Sequence, residues 1–176
     1  MTGNTRLHAP LDLREHLARL EAKGLLTRID EPVNKDTQLH PLVRWQFTGG
    51  LPESARRAFM FTNVYGADGR KFSSPVVVGA LAASPEIYAT GMGVSVEEIG
   101  DVWTRGIASP IDPVRIENPP CQEVVITGAD LRKPGGGLAS LPIPVSTPGF
   151  DSAPYFTATL CTTKDPETHV QNMGTY

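Results

Sequence analysis

The sequence predicts an α/β fold, with an N-terminal α/β domain over residues 1–118 and the beginning of a β-rich domain over residues 119–176. Three observations predict it. Segments with apolar residues at helical spacing alternate with short apolar runs, prolines interrupt the chain past its middle, and beyond them the apolar segments become strand-like. Against about 150 residues per domain, 176 residues make one compact domain, or one with part of a second.

Asp12 precedes Glu15 by three residues, a capping-box spacing with Asp in the Ser/Thr slot, and Leu13, Leu17 and Leu20 then share a helical face. This helix is expected to stop at Gly24. Residues 25–29 read as a short strand closed by Glu31-Pro32, because proline cannot donate to a ladder and restricts the residue before it. Residues 38–47 read as a second helix. Residues 58–64 and 75–81 read as paired strands around the turn-rich 65–69. A short helix over 85–92 precedes Ser95-x-x-Glu98, a box that opens a helix to about Arg105 bearing Val96, Ile99 and Trp103. Pro110, Pro113, Pro119 and Pro120 then mark a domain boundary. Beyond it, 122–127, 156–163 and 170–176 read as strands and 131–149 as a loop. No internal repeat occurs at the usual periods.

Lys and Arg number 16 and Asp and Glu 19, giving a net charge of −3 and a pI near 5.8. Such a chain has no basic field to hold a phosphate backbone, which argues against a nucleic-acid partner. The longest weakly polar stretch, 75–83, falls far short of the roughly 20 apolar residues of a bilayer crossing. The N-terminal residues lack the apolar core of a secretory signal, so the expectation is a cytoplasmic protein without a membrane partner. Cys121 and Cys161 sit in no CxxC pair and are expected to be reduced and packed.

Several motifs fail on inspection. Gly91-Met92-Gly93 follows a predicted helix, and Val96 stands where a dinucleotide fingerprint needs its third glycine. Gly135-Gly136-Gly137 lacks a following Gly-Lys-Ser/Thr and reads as a flexible turn. His8, His16, His40 and His169 form no metal-spaced cluster and read as surface residues. Ser140, Ser146 and Ser152 lack a Gly-x-Ser-x-Gly elbow.

The order of longer phrases is more informative. Asp12-Leu13-Arg14-Glu15-His16-Leu17 and Gly24-Leu25-Leu26-Thr27-Arg28-Ile29-Asp30-Glu31-Pro32-Val33 are followed by Ser74-Pro75-Val76-Val77-Val78-Gly79 and Val124-Val125-Ile126-Thr127-Gly128-Ala129-Asp130-Leu131. Leu141-Pro142-Ile143-Pro144, Ala153-Pro154-Tyr155-Phe156-Thr157 and Gln171-Asn172-Met173-Gly174-Thr175-Tyr176 complete the series. From about residue 11 onward this series resembles the UbiD family of prenylated-flavin-dependent decarboxylases. The closing Asn-x-Gly-x-Tyr is the most distinctive phrase.

The resemblance implies an N-terminal α/β domain followed by the first strands of a split β-barrel flavin-binding domain. A C-terminal α/β domain that drives assembly into a dimer or hexamer would lie beyond. It also implies prenylated FMN and Mn2+ as cofactors, with K+ as an accompanying ion. Asn172 is implied as the metal ligand, with Asn172, Gly174, Thr175 and Tyr176 at the cofactor. A neutral amide oxygen suits a hard cation that also takes phosphate oxygens. Strand parity places Asn172, Gly174 and Tyr176 on one face, so Thr175 is expected to act through its backbone, and Gly174 would allow close approach. Read from the residues alone, Asn172 is a strand-end turn cap and Tyr176 an aromatic on a half-buried strand. Thr157 is equally an ordinary β-branched strand residue and is not included in the site.

Two departures from the family pattern stand out. Pro148-Gly149-Phe150-Asp151-Ser152-Ala153 replaces the family's glycine-rich turn before the Pro-Tyr phrase. The family's following arginine, its other metal ligands and its catalytic Glu-Arg-Glu network are expected C-terminal to Tyr176. The implied activity is therefore that of the longer protein: reversible, non-oxidative (de)carboxylation of aromatic, heteroaromatic or α,β-unsaturated acids, with these 176 residues inactive alone. The alternatives are a non-catalytic truncated or accessory subunit that pairs with other chains and, less favoured, a simple FMN-binding barrel. The residues after Pro120 are expected to be partly mobile or held by another chain, because their sheet is incomplete.

Overall fold

The computed structural model describes residues 8–175. Its first helix, α1 (Leu13–Ala22), starts where the Asp12 carboxylate accepts from the Glu15 N–H at 2.8 Å. The Glu15 carboxylate reaches back one residue further than in the standard box and accepts from the Leu11 N–H at 2.7 Å. Two hydrogen bonds to that carboxylate, from the Leu11 N–H first and from the Arg19 guanidinium second, hold it below the usual range. The helix ends into Gly24, whose φ of +66° suits a glycine.

Strands β1 (Leu26–Ile29) and β3 (Ala58–Phe61) pair in parallel, and β5 (Val76–Val78) adds antiparallel to β3, giving the order β1-β3-β5. Two short strands extend the parallel pair: β2 (Val33–Asn34) runs alongside β4 (Val64–Tyr65). The expected single strand over 58–64 is thus two strands broken at Thr62-Asn63, and β2 has no counterpart in the sequence reading. The break has a physical cause. Pro32 offers no N–H, the ladder lapses beside it, and the Thr62 hydroxyl bridges the gap to the Asp30 carboxylate at 2.5 Å. Pairing resumes when the Val33 N–H reaches the Asn63 carbonyl at 3.0 Å. Parallel neighbours need a crossover, supplied here by α2 (Leu39–Thr48).

Alternation along the strands sorts the core onto two faces. Leu26, Ala58 and Val77 face one cluster with Leu20 of α1, Ile87 of α3 (Pro85–Met92), and Leu25, Ala80 and Ala83 from the connecting segments. Ile29, Phe59, Phe61, Val76 and Val78 face a second cluster with Leu39 and Val43 of α2. The N-terminal half is therefore a three-layer sandwich, α1 and α3 on one face and α2 on the other. His16, expected at the surface, is buried in the first layer and bonds the Ala80 carbonyl through Nε2 at 2.6 Å. Its place on the apolar face of α1, between Leu13 and Leu17 in the helix, explains the difference.

After α3, the Glu98 carboxylate accepts from the Ser95 N–H at 2.9 Å, so half of the expected box forms. Residues 96–98 make a turn, and α4 proper is Ile99–Ala108, three residues longer than expected at its end. Beyond residue 108 the chain changes character. The expected strand over 122–127 is absent: a 3-10 turn over Pro120–Gln122 runs into a bend at 123–124 and then irregular chain, with Val124 and Val125 largely exposed. An apolar run becomes a strand only where a partner segment accepts its N–H groups; here Gln122 and Glu123 bond back into the 3-10 turn, and none of the described residues accepts from 124–127. The expected loop over 131–149 starts at the end of one 3-10 segment, Gly128–Arg132, and holds a second, Gly137–Ser140. The chain closes on an antiparallel hairpin of β6 (Leu160–Lys164) and β7 (Gln171–Thr175). The strand expected at 156 starts at 160. Cys121 and Cys161, expected to pack, are both exposed free thiols.

Candidate functional site

The hairpin carries the residues singled out from the sequence. Asp165 sets its turn: the carboxylate accepts from the Thr168 N–H at 2.6 Å and the Glu167 N–H at 2.9 Å, and these bonds hold its carboxyl below the usual Asp range. His169, at φ +60°, completes the reversal. The register that follows pairs Asn172 with Thr163, Met173 with Thr162, Gly174 with Cys161 and Thr175 with Leu160. Asn172 and Gly174 therefore share one face, and Met173 and Thr175 the other. Asn172 and Thr175 are exposed and Gly174 is half-buried. Tyr176 lies outside the described residues.

As a cation site the hairpin is incomplete. Asn172 offers one neutral oxygen, and no group of three or more His, Cys, Asp or Glu could hold a metal among the described residues. A hard divalent cation takes about six oxygens, so these residues do not by themselves fit Mn2+.

A second feature lies elsewhere. A groove of about 800 Å³ opens between β5, α2 and the chain around residues 141–159. Its walls are mainly apolar, including Val43, Phe47, Val76 and Ile143, with His40, Tyr155 and Thr157 among them. Asn172, Gly174 and Thr175 do not line it. His40 is half-buried on α2, and its imidazole is pushed below the ordinary value by burial and by the Arg44 cation, with Asp151 opposing. The sequence reading left out Thr157, which the structure places in this groove outside any strand, and took His40 for a surface residue. The visible signal was the pair of phrases Leu141-Pro142-Ile143-Pro144 and Pro154-Tyr155-Phe156-Thr157, which meet at the groove.

Residues 17–105 match the 3-octaprenyl-4-hydroxybenzoate carboxy-lyase N-terminal domain. Residues 113–176 match the Rift-related domain of the same carboxy-lyase. The chain belongs to the UbiD family. Among solved structures, it is similar to an evolved dimeric form of the UbiD-class enzyme HmfF from Pelotomaculum thermopropionicum in complex with prFMN. That match has 30% identity and a TM-score of 0.75, over 94% of this chain and 35% of the other. It is also similar to a 3,4-dihydroxybenzoic acid decarboxylase from Enterobacter cloacae, at 27% identity and a TM-score of 0.73, over 96% and 34% of the two chains. Vanillic acid decarboxylase of Sedimentibacter hydroxybenzoicus matches at 25% identity and a TM-score of 0.75, over 96% and 35%. The chain thus spans about a third of the length of each of these proteins, and it shares their mixed α/β fold.

Proposed function

We propose that this chain is the N-terminal part of a non-oxidative, reversible carboxy-lyase of aromatic, heteroaromatic or α,β-unsaturated acids. The observation that carries this reading is the match to HmfF in complex with prFMN, 30% identical over 94% of this chain. Residues 1–118 would form the N-terminal α/β domain and residues 119–176 the first strands of a split-barrel flavin domain. Bound prenylated FMN would supply the covalent chemistry of CO2 loss, and the protein would supply position and a proton.

Within that scheme the role of β7 is limited. Asn172 would be one ligand of Mn2+ through its amide oxygen, the others coming from elsewhere, and K+ would be the accompanying ion. Gly174 would let the backbone come close to the flavin, and Thr175 and Tyr176 would contribute backbone groups to it. The remaining metal ligands, the general acid and an arginine clamp come from residues outside these 176. The working protein is a cytoplasmic homo-oligomer, a dimer or hexamer.

One observation favours the second reading, a non-catalytic subunit that pairs with other chains. Among the described residues the β6–β7 sheet has two strands, and Leu160 and Met173 are exposed on it, with Val170 exposed just before β7. Unpaired edges of this kind take up further strands. The test is to purify the protein from cells that make prenylated FMN, add Mn2+, and assay CO2 release from 3,4-dihydroxybenzoate, vanillate and related acids. Release by a protein longer than 19.0 kDa supports the carboxy-lyase. A 19.0 kDa protein that binds no flavin and co-purifies with another chain supports the subunit reading.

A further inference from the structure

Residues 109–118 are exposed throughout, and among the described residues 110–118 make no hydrogen bond. The tether between the two halves therefore does not fix how they sit. What joins them is the loop after Arg132, and it is held at two points.

At the first, the Arg70 Nη1 donates to the Ala139 carbonyl at 2.8 Å, inside the 3-10 segment Gly137–Ser140, and Nη2 reaches the Gly135 carbonyl at 3.4 Å. The guanidinium is itself held, its carbon 5.2 Å from the centre of the Phe72 ring, and Phe72 packs on the second core cluster. Gly135 makes this approach possible: a Cβ there would stand 2.7 Å from Arg70 Nη2, and its φ is +70°. The triple glycine, which failed as a phosphate cradle, thus makes room for an arginine. At the second point the Arg44 Nη2 donates to the Ser146 carbonyl at 3.1 Å and to the Thr147 hydroxyl at 2.9 Å. The Asp151 carboxylate ties the same turn by accepting from the Thr147 N–H at 2.6 Å. Between the two points lies Ile143, the one large aliphatic residue after α3 that is buried among the described residues. The loop then hands its position on, since the Pro144 carbonyl accepts from the Tyr155 N–H at 3.2 Å, five residues before β6.

We propose that Arg44 and Arg70 are positioning residues. They form a two-point clamp by which the N-terminal sandwich sets the place of residues 135–147, and through them the start of the chain that returns as the β6–β7 hairpin. The clamp is independent of whether Asn172 meets a cofactor. A planar guanidinium can lay its face on a ring while its edge serves two carbonyls in fixed directions, whereas an ammonium is a compact point charge with no face to stack.

Hydrogen exchange on the full chain tests it. Arg70→Ala is expected to speed exchange of the Leu141 and Ile143 amides by about fivefold to tenfold, in keeping with one exposed, charge-assisted contact, with α1 and β3 amides unchanged. Arg70→Lys is expected to stay near the alanine value. Arg44→Ala and Thr147→Val are each expected to speed exchange of the Asp151 amide, and the double variant to do no more than the stronger single one. Wild-type exchange in Arg70→Ala, full protection in Arg70→Lys, additive effects in the Arg44 and Thr147 cycle, or a loss spread over α1 and β3 would each overturn the clamp.

Discussion

Gln46 offers a sharp test of how the sandwich is held together. It is buried on α2 at 5% exposure, and its side-chain amide acts as a short piece of ladder for the residue just before β3. Its Nε2 donates to the Arg57 carbonyl at 2.9 Å, and its Oε1 accepts from the Arg57 N–H at 2.8 Å. Gln46→Leu keeps most of the volume, so no cavity term enters, but it strands both backbone groups of Arg57. Each buried polar group left unpaired costs about 1–3 kcal/mol, and partial access of water to these groups puts the pair at about 2–4 kcal/mol. With an m-value near 2 kcal/mol/M in urea, the midpoint should fall by about 1–2 M at unchanged slope, followed by circular dichroism at 222 nm. Gln46→Glu should also destabilise, because a carboxylate accepts from the N–H but cannot donate to the carbonyl. A Gln46→Leu midpoint within about 0.3 M of wild type would refute the reasoning, since that is below the cost of one stranded group at this m-value.

Phe61 is fully buried in the second cluster, and Phe61→Ala should cost about 3–5 kcal/mol by removing a ring that α2 packs against, measured by the same unfolding curve. Lowering the pH should loosen the hairpin turn. The Asp165 carboxyl lies below its ordinary range when folded, so its contribution is present above about pH 4 and lost as pH falls through the lowered value. The Glu167 and Thr168 amide shifts should follow that loss and be displaced at all pH values in Asp165→Asn. For His40 the imidazole is also lowered, by burial first, so folding favours the neutral ring and the folded state binds fewer protons. Its contribution is full above the ordinary value near 6.5 and declines as pH falls toward the lowered one. His40→Gln should flatten the stability profile between about pH 7 and pH 5.

Much of the N-terminal sandwich was legible because its signals are local. Asp12 and Glu15 announce α1, the short helix over 85–92 was read at its observed bounds, and Gly24 ends a helix where only a residue tolerant of positive φ fits. The short strands β2 and β4 were not legible. Two-residue strands carry no periodicity, and this pair exists because the ladder restarts beyond Pro32. The run at 122–127 erred the other way: Val124, Val125 and Ile126 have strand composition, but a strand is a property of a pair. The site divides similarly. Alternation made the shared face of Asn172 and Gly174 readable in advance, whereas the Asp165 turn that sets the hairpin register was not read. The groove was not, because His40 and Tyr155 meet there from places more than a hundred residues apart, and no sequence window contains both.

The most direct test of the central claim is flavin and metal content of the protein purified from its own host, wild type against Asn172→Ala, by visible absorbance and elemental analysis. Wild type is expected to carry near-stoichiometric prenylated FMN and manganese, and Asn172→Ala to lose most of both at unchanged circular dichroism. Wild-type protein free of flavin and metal, or an Asn172→Ala variant that retains both in full, would contradict the account.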